Sequence, residues 1–254
     1  MKVASWNVNS IRVREQQVLD WLEVEQPDVL GLQEIKMQTD DFPSEVFAEV
    51  GYHSAVDGQK TYNGVALLSR NEGADILRSL PEFPDPQKRV IAGTFNGTRV
   101  INLYVPNGKA VGDEKYEYKL NWLKALHDWI EKELAQHEKV IVMGDFNIAP
   151  DDRDVHDPEA WEGKILCSDA ERAALDDLLG LGLRDSFRLF EQDAGLFSWW
   201  DYRQAGFRRN LGLRIDLLLV SQAIANNCIA SRIDKEPRAL ERPSDHAPVI
   251  VEFN

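Results

Sequence analysis

Six short apolar runs constrain what this chain can fold into more than anything else in it. They lie at residues 3–8, 29–32, 100–105, 140–143, 215–220 and 249–253, and most are rich in Val, Ile or Leu. Runs this short with that composition read as buried strands. Residues 64–69 and 90–95 add two weaker strand patterns. Helical periodicity separates them: 13–25, with apolar Val18, Leu19, Trp21 and Leu22, and 116–134, with Leu120, Leu123, Leu126, Trp129 and Ile130 on one face. A third helix is predicted over 170–181. Strands alternate with helices in some places and follow one another directly in others, which predicts an α/β fold with mixed sheets. No Gly/Ser linker, low-complexity tract or charge block interrupts the pattern, so residues 1–254 are expected to form a single domain. The Asp- and Pro-rich stretch 149–168 reads as one long loop.

Hydrophobic residues make up 43% of the chain and charged residues 28%, as in an ordinary globular protein with a core. No apolar run approaches the roughly 20 residues that span a bilayer, so no membrane association is expected. The N-terminus enters a strand-like pattern at once, so no signal peptide is expected. Cys167 and Cys228 are the only cysteines, and their isolation fits a reducing, cytoplasmic setting. The net charge of −14 argues against equating nucleic-acid binding with a basic chain; a DNA partner would need a local positive face. Lys36, Lys60, Lys88, Arg89, Arg203, Arg208 and Arg209 are candidates for one, although each taken alone reads more readily as a solvated side chain.

The strand ends carry the chemistry. Asn7 and Asn9, Glu34, Tyr104 and Asn107, and Asp145 and Asn147 follow apolar runs, Asp216 lies just inside one, and Ser244-Asp245-His246 precedes the last. Any one of these reads as a turn-former. Together they describe side chains converging from distant parts of the chain. Glu34 is either an oxygen ligand for a hard cation or an exposed acid before a helix-like stretch. Asp145 and Asn147, two apart, face the same way in extended backbone, so a carboxylate able to deprotonate water stands beside an amide able to donate to an oxyanion. Their alternative is an Asx turn. His246 beside a carboxylate can be held cationic, and Asp216 among apolar neighbours needs a partner. The other four histidines read as structural or solvated. Tyr104 is either a core residue or a catalytic phenol. Phe197-Ser198-Trp199-Trp200-Asp201-Tyr202-Arg203 packs aromatics and a base together, suited to an unstacked base or a distorted sugar, or else to a core.

With these residues assembled, the sequence resembles the exonuclease III and AP endonuclease family of the endonuclease/exonuclease/phosphatase superfamily from end to end. Trp6-Asn7-Val8-Asn9-Ser10-Ile11-Arg12, Leu32-Gln33-Glu34-Ile35-Lys36, Asn63-Gly64-Val65-Ala66, Met143-Gly144-Asp145-Phe146-Asn147-Ile148 and Ser244-Asp245-His246-Ala247-Pro248 carry it. Trp-Asp-Tyr-Arg at 200–203 and Gly-Leu-Arg-Ile-Asp at 212–216 narrow it to the DNA-repair branch, away from phosphoinositide phosphatases, sphingomyelinases and deoxyribonuclease I. The resemblance implies a four-layer α/β sandwich, two mixed β-sheets packed face to face and flanked by helices. It implies Mg²⁺, with Mn²⁺ as a substitute, held by Glu34 among Asn7, Asn9, Asp145, Asn147 and Asp245. Asp145 would deprotonate the attacking water, Asn147 and His246 would stabilise the pentacoordinate phosphorus, Asp216 would orient His246, and Tyr104 would contact the phosphate or protonate the leaving oxygen. Trp199, Arg203, Lys36 and Arg208 would meet the DNA. The implied partner is double-stranded DNA with abasic sites or with blocked or recessed 3′ ends, bound by a monomer.

Three features depart from the family pattern. Val105-Pro106-Asn107-Gly108 stands where members often carry Phe-Pro-Gln-Gly, Trp200 replaces a more usual Phe or Met, and Leu166-Cys167 lies where the pocket wall is expected. The leading expectation is abasic-site incision, 3′-end cleaning and 3′-to-5′ exonuclease action in base excision repair. Two alternatives keep the fold: 3′-phosphatase and 3′-exonuclease action with weak or no abasic incision, and hydrolysis of phosphoesters outside DNA. A catalytically dead nucleic-acid binder would have lost Glu34, Asp145 or His246, and all three are present.

Overall fold

The computed structural model describes residues 1–254. One six-stranded sheet contains β1 (Lys2–Asn7), β2 (Val29–Gln33), β3 (His53–Asp57), β4 (Val65–Ser69), β13 (Cys228–Ile233) and β14 (Val249–Phe253), in the order β13-β14-β1-β2-β4-β3. The other contains β5 (Ala74–Arg78), β6 (Val90–Phe95), β7 (Thr98–Tyr104), β8 (Val140–Asp145), β9 (Leu183–Asp185) and β12 (Asp216–Ser221), in the order β5-β6-β7-β8-β12-β9. A two-residue ribbon pairs β10 (Trp199–Trp200) with β11 (Gly212–Leu213). The helices are α1 (Ile11–Glu25), α2 (Ser44–Glu49), α3 (Glu114–Gln136), α4 (Pro158–Trp161), α5 (Asp169–Gly180) and α6 (Gln222–Ala225). No helix is long and apolar enough to cross a membrane.

Each sheet contains one parallel pair, β1 with β2 and β7 with β8, and its other neighbours run antiparallel. A parallel pair needs a crossover connection, and α1 and α3 supply the two. Side-chain alternation then sorts the apolar residues into three cores. Ala4, Trp6, Leu30, Leu32, Ala66 and Leu68 face α1 and α2, where they meet Val18, Leu22 and Phe47. Val3, Val29, Val65 and Leu67 face the second sheet and pack on Val100, Ile141, Met143 and Leu218. Ile101, Leu103, Val140, Val142, Leu217 and Leu219 cover α3 and α5 through Leu123, Leu126, Ile130, Leu175 and Leu178. Three cores between successive layers make the four-layer α/β sandwich that the family resemblance implies.

Helix ends follow local chemistry. Asp113 caps α3 by accepting from the Lys115 N–H, and Ser168 and Glu171 form a reciprocal capping box on α5. All eight expected strands form. The additional strands β3, β5, β9 and β13 are sheet edges or edge neighbours with short or half-exposed sequences, which blurs their alternation. The 149–168 stretch contains a 3₁₀ turn (Asp152–Asp154) and α4 as well as loop. On α3 the buried face includes Lys119, while Leu120 is only half-buried, a rotation from the expected face.

The two sheets are also tied by polar groups. The Asn102 amide on β7 donates to the carbonyls of Leu32 and Ala66 across the interface, both at 2.9 Å, and its oxygen accepts from Gln33 Nε2 at 2.6 Å. Gln33 Nε2 also donates to Ser5 Oγ at 2.9 Å. Asn102, Gln33 and Ser5 are all fully buried, so these bonds form where water cannot replace them. Asn102→Ala is expected to lower the unfolding free energy by about 1–3 kcal/mol, the cost of stranding buried polar partners. Urea denaturation reads this as a lower midpoint with an unchanged slope; an unshifted midpoint would mean that the tie contributes nothing.

Candidate active site

Strand direction explains why the polar tips meet. β1 and β2 are parallel, so Asn7 and the residue after Gln33 leave at the same end, and the antiparallel β14 starts there. In the second sheet Tyr104 is in register with Asp145, and Asp145 with Asp216 of the antiparallel β12. Face-to-face packing brings these two rims together. The Asn7 amide nitrogen donates to Glu34 Oε1 in its own sheet and to Asp145 Oδ2 in the other, both at 2.9 Å. Its oxygen accepts the Asn9 N–H at 3.0 Å, which orients the amide with N–H groups toward the acids. Glu34, Asp145 and His246 place ligand-capable atoms within 4.8 Å of one another.

His246 lies 2.9 Å from Asp216 Oδ2 through Nδ1 and 3.6 Å from Asp145 Oδ2 through Nε2. Burial alone would lower its pKa, but Asp216 and then Asp145 outweigh that and push it to about 10. The imidazole is therefore cationic at neutral pH. Asp145 moves the other way. Burial raises its carboxyl to about 7; the His246 cation opposes this, while Asp216 and Glu34 reinforce it. The Tyr104 hydroxyl is held well above its ordinary value by burial and then by the Glu34 and Asp145 carboxylates, so it keeps its proton. Arg89 lies over the Tyr104 ring at 4.7 Å and donates to the Tyr104 carbonyl at 3.2 Å. Asn147 adopts a left-handed φ of 50°, its N–H donates to Asp145 Oδ1 at 2.9 Å, and its side-chain oxygen accepts from Asn107 at 3.1 Å.

Of the remaining expected residues, Asp245, Lys36 and Trp199 border the cluster, whereas Arg203 and Arg208 do not touch it. Asp245 accepts from Asn9 at 2.9 Å and from the Trp199 indole at 3.0 Å. Lys36 turns inward, 3.0 Å from Glu34 Oε2 and 2.5 Å from Asn9 Oδ1. Trp199 borders a cavity of about 410 Å³ with His156, Trp161, Asp201, Arg203 and Leu211. Arg203 pairs with Asp201 through two nitrogens while remaining largely exposed. Arg208 is exposed and farther along the same loop. Buried Leu166 and Cys167 pack with Leu213 and Ile215 behind Trp199.

The endonuclease/exonuclease/phosphatase family model matches residues 4–246 of the chain. The exodeoxyribonuclease III of Haemophilus influenzae is 41% identical over the whole length of both chains. The chain belongs to the exonuclease III branch of this family. Among solved structures, a Neisseria 3′ phosphatase bound to a product DNA hairpin superposes with a TM-score of 0.99 at 49% identity, covering 100% of this chain and 99% of that one. An AP endonuclease from Archaeoglobus fulgidus superposes with a TM-score of 0.96 at 36% identity, again over 100% and 99%.

In this family member several supporting residues escaped the sequence reading. Lys119, fully buried on α3, donates to the Asn147 carbonyl at 2.7 Å, to the Asn107 carbonyl at 3.3 Å and to Glu171. It pins the loop that carries Asn147. A lysine at helical spacing between Tyr116 and Leu123 was the available signal. Ser198 Oγ accepts the N–H groups of Ile215 and Asp216, both at 3.0 Å, fixing the entrance to β12. Gly144 is required by close approach: its φ is 145°, and a Cβ there would lie 1.9 Å from the Leu103 carbonyl oxygen. His156, read as structural or solvated, lines the cavity.

Lys119→Met leaves Glu171 charged and buried, and is expected to cost about 3–5 kcal/mol in unfolding free energy. Adding Glu171→Gln, which removes the charge but keeps an acceptor for the Leu166 or Ser168 N–H group, should recover part of that loss; no recovery would mean that the Lys119 bonds to the Asn147 and Asn107 carbonyls dominate. For His246, the folded pKa exceeds the ordinary 6.5. Its charge therefore stabilises the fold fully below about pH 6.5, and the contribution fades as pH rises toward 10. NMR titration of the ring in chelator should find it protonated beyond pH 9. Asp216→Asn, by removing the largest favourable charge while burial persists, should bring the titration down by several pH units. A ring titrating near 6.5 in the unmodified protein would contradict the assignment.

Proposed function

We propose that this chain is a magnesium-dependent DNA-repair nuclease that breaks the phosphorus–O3′ bond in duplex DNA. The observation that carries the reading is the meeting of Glu34, Asp145, Asn147 and the Asp216–His246 pair at one point, beside a cavity walled by Trp161 and Trp199. Likeness to an exodeoxyribonuclease III, a 3′ phosphatase with a DNA hairpin and an AP endonuclease supports DNA as the substrate. One bond unites the three activities: incision 5′ of an abasic site, removal of a 3′-phosphate, and 3′-to-5′ release of nucleotides all free an O3′. The enzyme acts in the cytoplasm as a single-domain monomer.

The donor set fits a hard divalent cation. Glu34 and Asp145 point carboxylate oxygens at one place, Asn9 Oδ1 lies beside Glu34, and no thiolate is near, a combination suited to Mg²⁺ and tolerant of Mn²⁺. Glu34 and Asp145 would hold the ion, with Asn9 and Asn147 at its margin; Asn7 and Asp245 orient those groups by hydrogen bonds. Such an ion neutralises phosphate charge and orients the reacting groups. Asp145, whose carboxyl burial raises toward neutrality, takes the proton of the attacking water as its oxygen bonds to phosphorus. His246, kept cationic by Asp216, and the Asn147 amide donate to the phosphoryl oxygens as negative charge gathers on them. Tyr104, which retains its proton, donates to the departing O3′ or to the phosphate. The phosphorus–O3′ bond breaks opposite the incoming water.

One observation favours a narrower reading within the same chemistry. Leu166 and Cys167 pack against Trp199 from within the core without lining its cavity, and a 3′ phosphatase is 49% identical to this chain; the second of these supports 3′-end trimming over incision at internal abasic sites. Three labelled duplexes separate the readings: an internal abasic analogue, a nick with a 3′-phosphate and a plain recessed 3′ end, each with Mg²⁺ and with chelator. Cleavage of at least one is expected with Mg²⁺ and none with chelator. Asp145→Asn and His246→Ala should each lower turnover by at least about a thousandfold while leaving DNA binding nearly intact. Weakened binding with an undiminished rate in the bound complex would reject those roles. Hydrolysis of inositol phosphates with every duplex left uncut would overturn DNA as the substrate.

A further inference from the structure

The Lys36 side chain occupies an unexpected place. Its ammonium stands against Glu34 Oε2 at 3.0 Å and Asn9 Oδ1 at 2.5 Å, on the carboxylate and the amide that border the candidate metal site. The backbone is built to put it there. Glu34 and Lys36 adopt left-handed φ values of 48° and 53°, costly conformations for non-glycine residues. Four hydrogen bonds hold that turn on both sides. The Glu34 and Ile35 carbonyls accept from the Ser10 and Ile11 N–H groups at 2.7 and 3.1 Å, while the Ile35 and Lys36 N–H groups donate to the Gly64 and Asn63 carbonyls at 3.1 and 2.9 Å. A turn pinned so firmly brings two side chains from alternate positions to one point.

We propose that Lys36 is a tethered cation that holds the Glu34 and Asn9 oxygens until a divalent ion displaces it. An ammonium and a divalent ion on one carboxylate repel each other, and each weakens the other's attraction to it. The ammonium has the means to leave: the side chain is 26% exposed, and its four-carbon stem is flexible. In its inward position Lys36 keeps Glu34 neutralised and pointed at Asp145 through Asn7. Displaced, it becomes a free ammonium at the rim, able to meet a phosphate of the substrate. Arrival of the metal and capture of a phosphate are then one exchange of partners.

The proposal rests on the divalent-ion reading above, and its test keeps the two apart. Mn²⁺ affinity is measured by calorimetry, without DNA, for the unmodified protein, Lys36→Met, Lys36→Gln, Glu34→Gln and the Glu34→Gln/Lys36→Met double variant. Met keeps the length of the stem and Gln keeps a polar head, so a packing defect in one does not decide the outcome, and melting temperatures confirm that each is folded. Both Lys36 variants should bind Mn²⁺ about two- to fivefold more tightly, the scale of a partly exposed ion pair. In the Glu34→Gln background the Lys36 change should have no effect. Equal or weaker Mn²⁺ binding in the Lys36 variants, with Glu34→Gln still weakening it, overturns the tethered-cation proposal and leaves the metal reading standing. Mn²⁺ affinity unaffected by Glu34→Gln overturns both.

Discussion

Asn7 is the place where the two sheets meet chemically. Its oxygen is engaged by the Asn9 N–H, so both amide hydrogens face the acids, one toward Glu34 of the first sheet and one toward Asp145 of the second. Two carboxylates pointed at a common spot repel, and a shared neutral donor lessens that repulsion without occupying the spot. The geometry survives only if the sheets do not slide on each other. Apolar packing between faces has no strong directional preference, so directional bonds must supply the register. Asn102, reaching from β7 to the carbonyls on β2 and β4, does this directly beneath the site. A site divided between two sheets therefore depends on a few fully buried amides that never touch a substrate.

The same economy of charge runs through the surroundings. Glu34, Asp145, Asp216 and Asp245 gather around one point, answered by the His246 and Lys36 cations. Much of the remaining compensation comes from neutral donors: Asn7, Asn9, the Trp199 indole and the backbone N–H of Asn147. An excess of acid is thus preserved for a metal ion. Elsewhere, acids and bases cancel in buried clusters such as Arg214 with Asp154 and Asp185, which lock the 149–168 segment to the strand entrance at Asp216. Of the basic residues expected to face DNA, Lys88 and Arg203 are paired internally, whereas Arg208, Arg209 and Lys60 have no protein partner for their side chains. Attraction to phosphate then rests on a few local charges, in keeping with a chain whose total is −14.

The site was legible in the sequence because its residues sit at the ends of strongly apolar strands. Asp145 after the buried run of β8, and His246 just before that of β14, need no knowledge of tertiary contacts to be singled out. Parallel pairing of β1 with β2 and of β7 with β8 then guarantees a common rim. The supports were harder to see, for a physical reason. Lys119 sits in a helix whose other apolar-face positions satisfy the periodicity, and only its buried carbonyl and Glu171 partners mark it. Asn102 lies in mid-strand, where an amide reads as a break in an apolar run until a second sheet is placed opposite. Lys36 looked like a surface base available to DNA; the left-handed turn that folds it onto Glu34 leaves no trace in composition or period. Edge strands β5 and β13 were hidden because solvent on one side relaxes the alternation.

The division of labour between His246 and Asp145 follows from their neighbours more than from their intrinsic chemistry. A free imidazole is the ordinary base at neutral pH, and a free carboxylate is nearly always ionised and weakly basic. Here the assignments are exchanged. Asp216 lies at hydrogen-bond distance from one ring nitrogen and Asp145 faces the other, so removing a proton from His246 would leave two buried carboxylates without a counter-charge. The ring is thereby confined to donating. Asp145, buried beside Asp216 and Glu34, is raised to about 7, which suits it to the role of base proposed for it. The antiparallel register that sets Asp145 opposite Asp216 is what couples the two shifts, since it brings the acid that orients the imidazole alongside the acid that must accept a proton. A one-residue slip of β12 would turn Asp216 to the other face of the sheet, and both roles would be lost together.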